Sequence, residues 1–300
     1  MSVRVITHPS SLDHDTGRGH PESPARITAI VEELRSNKYA GVVSWSEARP
    51  AVADELERVH PREYLERLEA MAKRGGGMVD GDTFLSAASF EAARHAAGAA
   101  VETALSACEG EACFAVIRPP GHHATAETAM GFCLINNVVV AARSALEDGG
   151  AGRVLIVDWD VHHGNGTQDL VDRDSRIRYV SLHQWPLYPG TGRADERGVG
   201  NVFNVPRAPG LPRETYVADL NEAVSRATDG WMPDLLLISA GFDAMAGDPL
   251  AGFTLEPEDY ATWVREWRQI GCRMGAVLEG GYAPDRIRLA AAETVCALAG

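Results

Sequence analysis

Short runs of apolar, largely β-branched residues recur along the chain, separated by longer stretches in which apolar positions return at i, i+3 and i+4. The short runs predict strands over residues 3–6, 113–118, 154–158, 177–182, 235–239 and 276–278. The longer, often alanine-rich stretches predict helices over 87–107, 135–147, 214–227, 257–270 and 285–298. Strands that are apolar at nearly every position are buried on both faces, and strand–helix alternation supplies the cover. The pattern predicts a three-layer α/β/α fold around a mostly parallel sheet. No repeat, low-complexity tract or linker interrupts it, so residues 1–300 are expected to form a single domain.

Polar residues gather just past the predicted strands. His122 and His123 follow one, Asp160 and His162 another, Asp243 a third, and Tyr282 a fourth. In parallel α/β folds the carboxyl ends of the strands converge on the ligand crevice, so these segments are expected to share one site.

Composition narrows the setting. With 45% hydrophobic and 23% charged residues the chain can bury a sizeable core, and disorder is not expected. Lys and Arg total 28 against 42 Asp and Glu, a net charge of −14 without a basic run, so nucleic acid is not an expected partner. The acidity is read first as serving solubility, with basic peptides or polyamines as the ligands it would attract. Five cysteines, an odd number with no CxxC pair, argue against a disulfide framework and against a cysteine zinc knuckle. The amino terminus lacks a signal-peptide profile and no apolar stretch approaches the ~20 residues of a membrane span. The expected setting is cytoplasmic, without a membrane partner; homo-oligomerisation is left open.

The chemistry starts from VLIVDWDVHHGNGTQ. If the chain stays extended past the strand, Asp158, Asp160 and His162 fall on one side, where two carboxylates and an imidazole crowd one another unless a cation or hydrogen bonds hold them. The next apolar strand, in DLLLISAGFDAMAGDP, runs into Asp243. Asp160, His162 and Asp243 make a three-ligand site with a position left for water or substrate, as in catalytic zinc sites. Zn2+ is the expected ion, with Fe2+, Mn2+ and Co2+ compatible with the donors. The competing reading is that Asp158 and Asp160 cap a helix or bind loop amides.

In FAVIRPPGHHATAETAMGF, two prolines and a glycine stop a strand and present His122 and His123 side by side. Adjacent loop histidines are often ordinary surface residues, but Asp158 and Asn165 are available to orient one imidazole each. Amide hydrolysis needs a base for water and an acid for the leaving amine, which two histidines with different partners can divide. Tyr282, after Gly280 and Gly281, could donate to a developing oxyanion, or could be a half-buried core tyrosine.

Together the segments GHPESPAR (19–26), RPPGHH (118–123), GFCLINN (131–137), DWDVHHGNGTQ (158–168), YVSLHQWPLYPGTG (179–192), SAGFDAMAGDP (239–249) and LEGGY (278–282) resemble, in order and across nearly the whole chain, the histone deacetylase and acetylpolyamine amidohydrolase superfamily. The resemblance implies the arginase/deacetylase fold with a central sheet of eight strands. It implies zinc on Asp160, His162 and Asp243, His123 as general base and acid, a mainly electrostatic His122, and Tyr282 polarising the scissile carbonyl. By the same resemblance Asp158 partners His122 and, with Asp160, His162, Ser181 and the carbonyl of Leu182, holds a structural potassium ion. Asn165 matches the class II-like, bacterial-type branch. Arg26 matches an arginine lining a channel through which acetate leaves, the alternative being a helix-surface ion pair. Gly131, Phe132 and Tyr188, with Gly281 and Leu250, match the tunnel for the acyl-lysine chain; Tyr188 adds a hydroxyl where phenylalanine is common. His14, His20, His60, His95 and His183 are read as structural.

The resemblance thus implies removal of acetyl or other short acyl groups from lysine in peptides or proteins. Acetylpolyamine hydrolysis is the first alternative; polyamine-preferring relatives place a glutamate at the tunnel mouth, where Leu250 stands here. An arginase-like binuclear ureohydrolase would want an Asp-x-Asp pair, but Ala244 and Met245 follow Asp243. A catalytically dead acyl-lysine binding module would have lost a ligand, a histidine or the tyrosine, and none is missing.

Overall fold

A computed structural model describes residues 2–300. Its strands are β1 (Val3–Thr7), β2 (Val43–Glu47), β3 (Gly76–Met78), β4 (Phe84–Ser86), β5 (Cys113–Ala115), β6 (Val154–Asp158), β7 (Ile177–Gln184), β8 (Val202–Arg207), β9 (Leu235–Ala240) and β10 (Arg273–Leu278). The helices are α1 (Ser10–Asp13), α2 (Pro24–Leu34), α3 (Ala53–Glu57), α4 (Arg62–Lys73), α5 (Ser89–Glu109), α6 (Asn137–Glu147), α7 (Asn165–Val171), α8 (Arg213–Thr228), α9 (Pro257–Trp267) and α10 (Pro284–Ala299). No helix among them is long and apolar enough to cross a membrane.

Eight strands form one sheet in the order β2-β1-β5-β10-β9-β6-β7-β8, and every neighbouring pair is parallel. β3 and β4 form a separate antiparallel hairpin. Helices α5 and α6 pack on each other and over β5, β10, β6 and β9, while α2, α9 and α10 form a second group with α8 against β7 and β8. Between the layers β6 and β9 are buried at every position, which is why VLIVD and LLLISA can be apolar throughout.

The sheet carries the six predicted strands and two more, β2 and β8. Both lie at its edges, where VSWSE and VFNVPR mix polar residues with apolar ones and escape a search for continuous apolar runs. The strand predicted over 113–118 stops at Ala115, and the helix predicted over 257–270 ends at Trp267 before a 3-10 turn at Arg268–Ile270. Helix boundaries follow local chemistry. α5 ends on Gly110 with φ 98°, a left-handed conformation that glycine adopts without strain, and the Asn136 side chain caps α6 by accepting from the amide of Val139.

The topology has a direct consequence for function. Five neighbouring strands, β5, β10, β9, β6 and β7, run in the same direction and end side by side. The segments that leave them carry His122 and His123, Tyr282, Asp243, Asp158 to His162, and Ser181 to Tyr188 in turn.

Candidate active site

Asp160, His162 and Asp243 meet in the crevice beyond β6 and β9. All three are buried, and one ligating atom from each lies within 4.8 Å of the others; no other group of three such side chains comes together among the described residues. β6 ends at Asp158, so Asp160 and His162 are not on an extended strand as expected; a tight turn brings them together instead. Side-chain acceptors hold that turn: Asp158 Oδ1 accepts from the amide of Asp160 (3.1 Å), Asp160 Oδ1 from His162 (2.9 Å) and Asp243 Oδ1 from Val161 (2.7 Å). The His162 Nδ1 then faces Asp160 Oδ1 at 3.1 Å and Asp243 Oδ2 at 3.0 Å.

Taken by themselves these groups crowd one another. Burial and the charge of Asp160 push Asp243 up to about 7, and although burial lowers His162, its bonds to the two carboxylates raise it to about 10. A single imidazole proton would have to serve two carboxylates in a dry site. Two carboxylate oxygens and one imidazole nitrogen converging on one point suit a divalent cation, so the donor set fits zinc. Glycines allow the close approach: a Cβ on Gly280 would stand 2.4 Å from Asp160 Oδ2 and 2.5 Å from Asp243 Oδ2. Of the alternative reading for Asp158 and Asp160, helix capping does not hold, because α7 starts after Gly164 with no side-chain cap, whereas amide binding does: both carboxylates accept backbone amides, Asp160 that of Gly280 at 2.8 Å as well as that of His162.

His122 and His123 are buried, not on the surface. His122 Nδ1 donates to Asp158 Oδ2 at 3.1 Å, and His123 Nδ1 donates to Asn165 Oδ1 at 2.8 Å. These are the two partners expected from the sequence. The rings, 4.0 Å apart, sit in opposite electrostatic surroundings. Burial lowers the His122 pKa, but the charges of Asp160 and Asp158 outweigh it and hold the imidazole at about 10. Burial also lowers His123; here the neighbouring imidazoles of His122 and His162 add to the effect, and it stays well below the ordinary histidine value. The two carboxylates thus favour the protonated form of His122, and burial beside two imidazoles the neutral form of His123.

Tyr282 is half-buried, its ring 5.1 Å from the guanidinium of Arg26, and burial drives its phenol well above 10. The ring of Phe132 meets it edge-on at 5.8 Å, while Tyr188 meets His123 edge-on at 5.1 Å. The two aromatic walls named from the sequence thus rest against candidate catalytic groups. Gly131, at φ 56°, lies so close to His123 that a Cβ would come within 2.4 Å of the ring. Gly281, at φ 110°, turns the chain into Tyr282. Leu250 is tied in through Asp248, whose carboxylate accepts from the amides of both Leu250 (2.9 Å) and Tyr282 (2.7 Å).

Ser181 pairs in register with Asp158 across β6 and β7; its hydroxyl lies 2.9 Å from His183 Nδ1, and the Leu182 carbonyl accepts from Tyr216 at 3.3 Å. Arg26 is fully buried, so the helix-surface alternative fails: it donates to the carbonyls of Gly281 and Glu279 and pairs with Glu22 at 3.0 Å. Glu22 also binds Arg118. His14, His60, His95 and His183 are buried with polar partners, whereas His20 lies edge-on to Phe132 at 4.7 Å. Sequence reasoning passed over Asp248, Glu22, Arg118 and Thr83, which accepts from the amide of Phe132 at 3.0 Å. Single acidic or hydroxyl residues carry no spacing signal; the motif strings RPPGHH, HPESPAR and GDP that contain three of them were the only pointers.

Similarity to known proteins extends over nearly the whole chain. The histone deacetylase domain family matches residues 20–298. An uncharacterized protein of Synechocystis is 44% identical over 300 residues, covering 98% of both chains. A histone deacetylase-like amidohydrolase of Pseudomonas aeruginosa is 37% identical over 277 residues, 88% of this chain and 73% of that protein. The crystal structure of the HDA15 HD domain superposes with a TM-score of 0.94 at 36% identity, covering 99% of this chain and 88% of that one.

Proposed function

The chain belongs to the histone deacetylase family of hydrolases, and on that premise we propose that it removes acetyl or another short acyl group from the side-chain amine of lysine in peptides or proteins. One observation carries the reading: His123, held by Asn165, and His122, held by Asp158, lie beside the buried Asp160, His162 and Asp243 cluster. Zinc is the proposed ion on that cluster, and when bound it supplies a Lewis acid that polarises an acyl carbonyl and acidifies water.

The side chains divide the remaining work. With Nδ1 committed to Asn165, His123 has Nε2 free to take a proton from the attacking water and later return it to the departing amine. His122, donating to Asp158 at 3.1 Å, offsets negative charge as it builds. Tyr282 keeps its phenolic proton at any ordinary pH and donates it as a hydrogen bond to the acyl oxygen. The aliphatic stem of lysine lies between Phe132 and Tyr188, beside Gly131, where two aromatic faces exclude water. Arg26, behind Tyr282, lines the exit for the released acid. A potassium ion held by Asp158, Asp160, His162, Ser181 and Leu182 belongs to the same reading.

Leu250 supports lysine over polyamine, because an apolar residue at the mouth offers no partner for a second ammonium group. The test is a panel of acylated lysine peptides and N8-acetylspermidine with the purified, metal-quantified enzyme. The peptides should be the better substrates; a strong preference for the polyamine would overturn the assignment.

A further inference from the structure

One buried carboxylate beside the site has no part in the mechanism above. Glu279 is fully buried and follows β10 directly. Its Oε2 accepts from two successive backbone amides, Gly121 at 2.6 Å and His122 at 3.1 Å, and its Oε1 accepts from the Ser239 hydroxyl at 3.3 Å. Sheet order explains the reach. β10 lies between β5, whose trailing loop carries Gly121 and His122, and β9, which carries Ser239, so one side chain on the central strand ties both neighbours.

The histidine loop depends on such a tie. Pro119 and Pro120 have no N–H, so Gly121 and His122 carry the first donors of the turn, and both residues are buried. Buried amides need acceptors, and among the described residues Glu279 Oε2 is the acceptor that the structure gives to each. The anchor itself is fixed: the Glu279 amide donates to Ala240 at 3.0 Å and its carbonyl accepts from Arg26. A Cβ on Gly121 would stand 2.5 Å from the Asn137 amide, so the loop packs closely where Glu279 takes its amides.

We propose that Glu279 is a positioning residue for the paired histidines. By taking both amides it sets the direction in which His122 and His123 leave the loop, and so their Nδ1 bonds to Asp158 and Asn165. The catalytic consequence rests on the deacylase reading; the geometric one does not. The role is hydrogen-bond acceptance rather than charge, so glutamine should serve: its carbonyl oxygen can take both amides while its NH2 donates to Ser239.

Glu279→Ala and Glu279→Gln in the full chain separate the possibilities, read by steady-state turnover of an acetyl-lysine peptide, bound zinc and the 1H–15N spectrum of the histidine side chains. In Glu279→Ala, kcat should fall by about 10²-fold, the size expected for a small misplacement of reacting groups, with KM and zinc content held. Its imidazole Nδ1–H resonances should shift or vanish. Glu279→Gln should restore both kcat and spectrum. Wild-type kcat with unshifted resonances in Glu279→Ala would overturn the proposal, as would a Glu279→Gln enzyme impaired tenfold or more, which would make the charge the active property. Should the alanine variant fail to fold, Glu279→Met, which fills the space but accepts no amide, is read in its place. An inactive wild type would instead sink the deacylase reading, and the imidazole spectra would still decide the positioning role.

Discussion

The two halves of the site are built in different ways. Asp160, His162 and Asp243 lie two to four residues past the ends of β6 and β9, adjacent strands, so a short turn is enough to gather them in the crevice. His122 and His123 ride a proline-rich loop that takes its direction from distant residues, Asp158 being 36 positions away from His122 and Glu279 158 positions from Gly121. The difference shows in their chemistry. The strand-borne groups crowd into one electrostatic problem with one solution, a cation. The loop-borne histidines, neighbours in sequence and of one residue type, are driven in opposite directions by their partners, His122 upward and His123 downward. Role in this site comes from surroundings more than from residue type.

Substitutions test that contrast, beginning with the strand-borne half. Asp160→Ala, His162→Ala or Asp243→Ala should abolish bound zinc and lower kcat/KM by more than about 10³-fold, since several kcal/mol of charge stabilisation go with the ion. Metal analysis beside turnover checks it, and a variant with full zinc and full activity would remove that residue from the cluster. In the other half, His123→Ala should cost on the order of 10³-fold in kcat, within the range for a positioned acid–base group, and His122→Ala less. Equal losses would erase the asymmetry drawn between them. Tyr282→Phe should keep its metal and lose about 10²-fold in kcat, the size of one oxyanion donor; near-normal turnover would remove Tyr282 from the mechanism.

Two smaller effects extend the comparison beyond the reacting groups. His60 is a buried histidine held neutral by structure: Nδ1 donates to Ala126 at 3.1 Å, Nε2 accepts from the amide of Asn136 at 2.9 Å, and burial lowers its pKa to about 4. Because the folded value lies below the unfolded 6.5, its stabilisation is complete above pH 6.5 and is lost as the pH falls towards 4. Between pH 7 and pH 5 this amounts to about 2 kcal/mol of unfolding free energy. Buried His163 and His183 are lowered in the same sense, so urea unfolding of wild type and His60→Gln at the two pH values isolates it as the difference in their pH dependence. Leu250→Glu, at the mouth, should shift the ratio of polyamine to peptide turnover by about fivefold, the worth of one exposed ion pair; an unchanged ratio would take Leu250 out of substrate choice.

Legibility differed along the chain for physical reasons. The central strands could be read because burial on both faces leaves a continuous apolar run, whereas β2 and β8, at the edges, mix polar and apolar positions as a loop would. The metal cluster could be read because its carboxylates and imidazole are packed into two short strand-end segments. Glu279 and Asp248 could not. Each is a single acid whose meaning lies in main-chain amides brought to it by folding, and an amide leaves no mark on the sequence.

The amino-acid sequence by itself determined the parallel α/β architecture, the family and the chemical types gathered at the strand ends, because these follow from local apolar patterning and short motifs. Only the tertiary structure decided which histidine its partners push upward and which downward, that Arg26 lies inside the protein, and how the proline loop is aimed. Those properties depend on burial and on distances between groups remote along the chain. Such quantities exist only once β5, β10, β9 and β6 lie side by side.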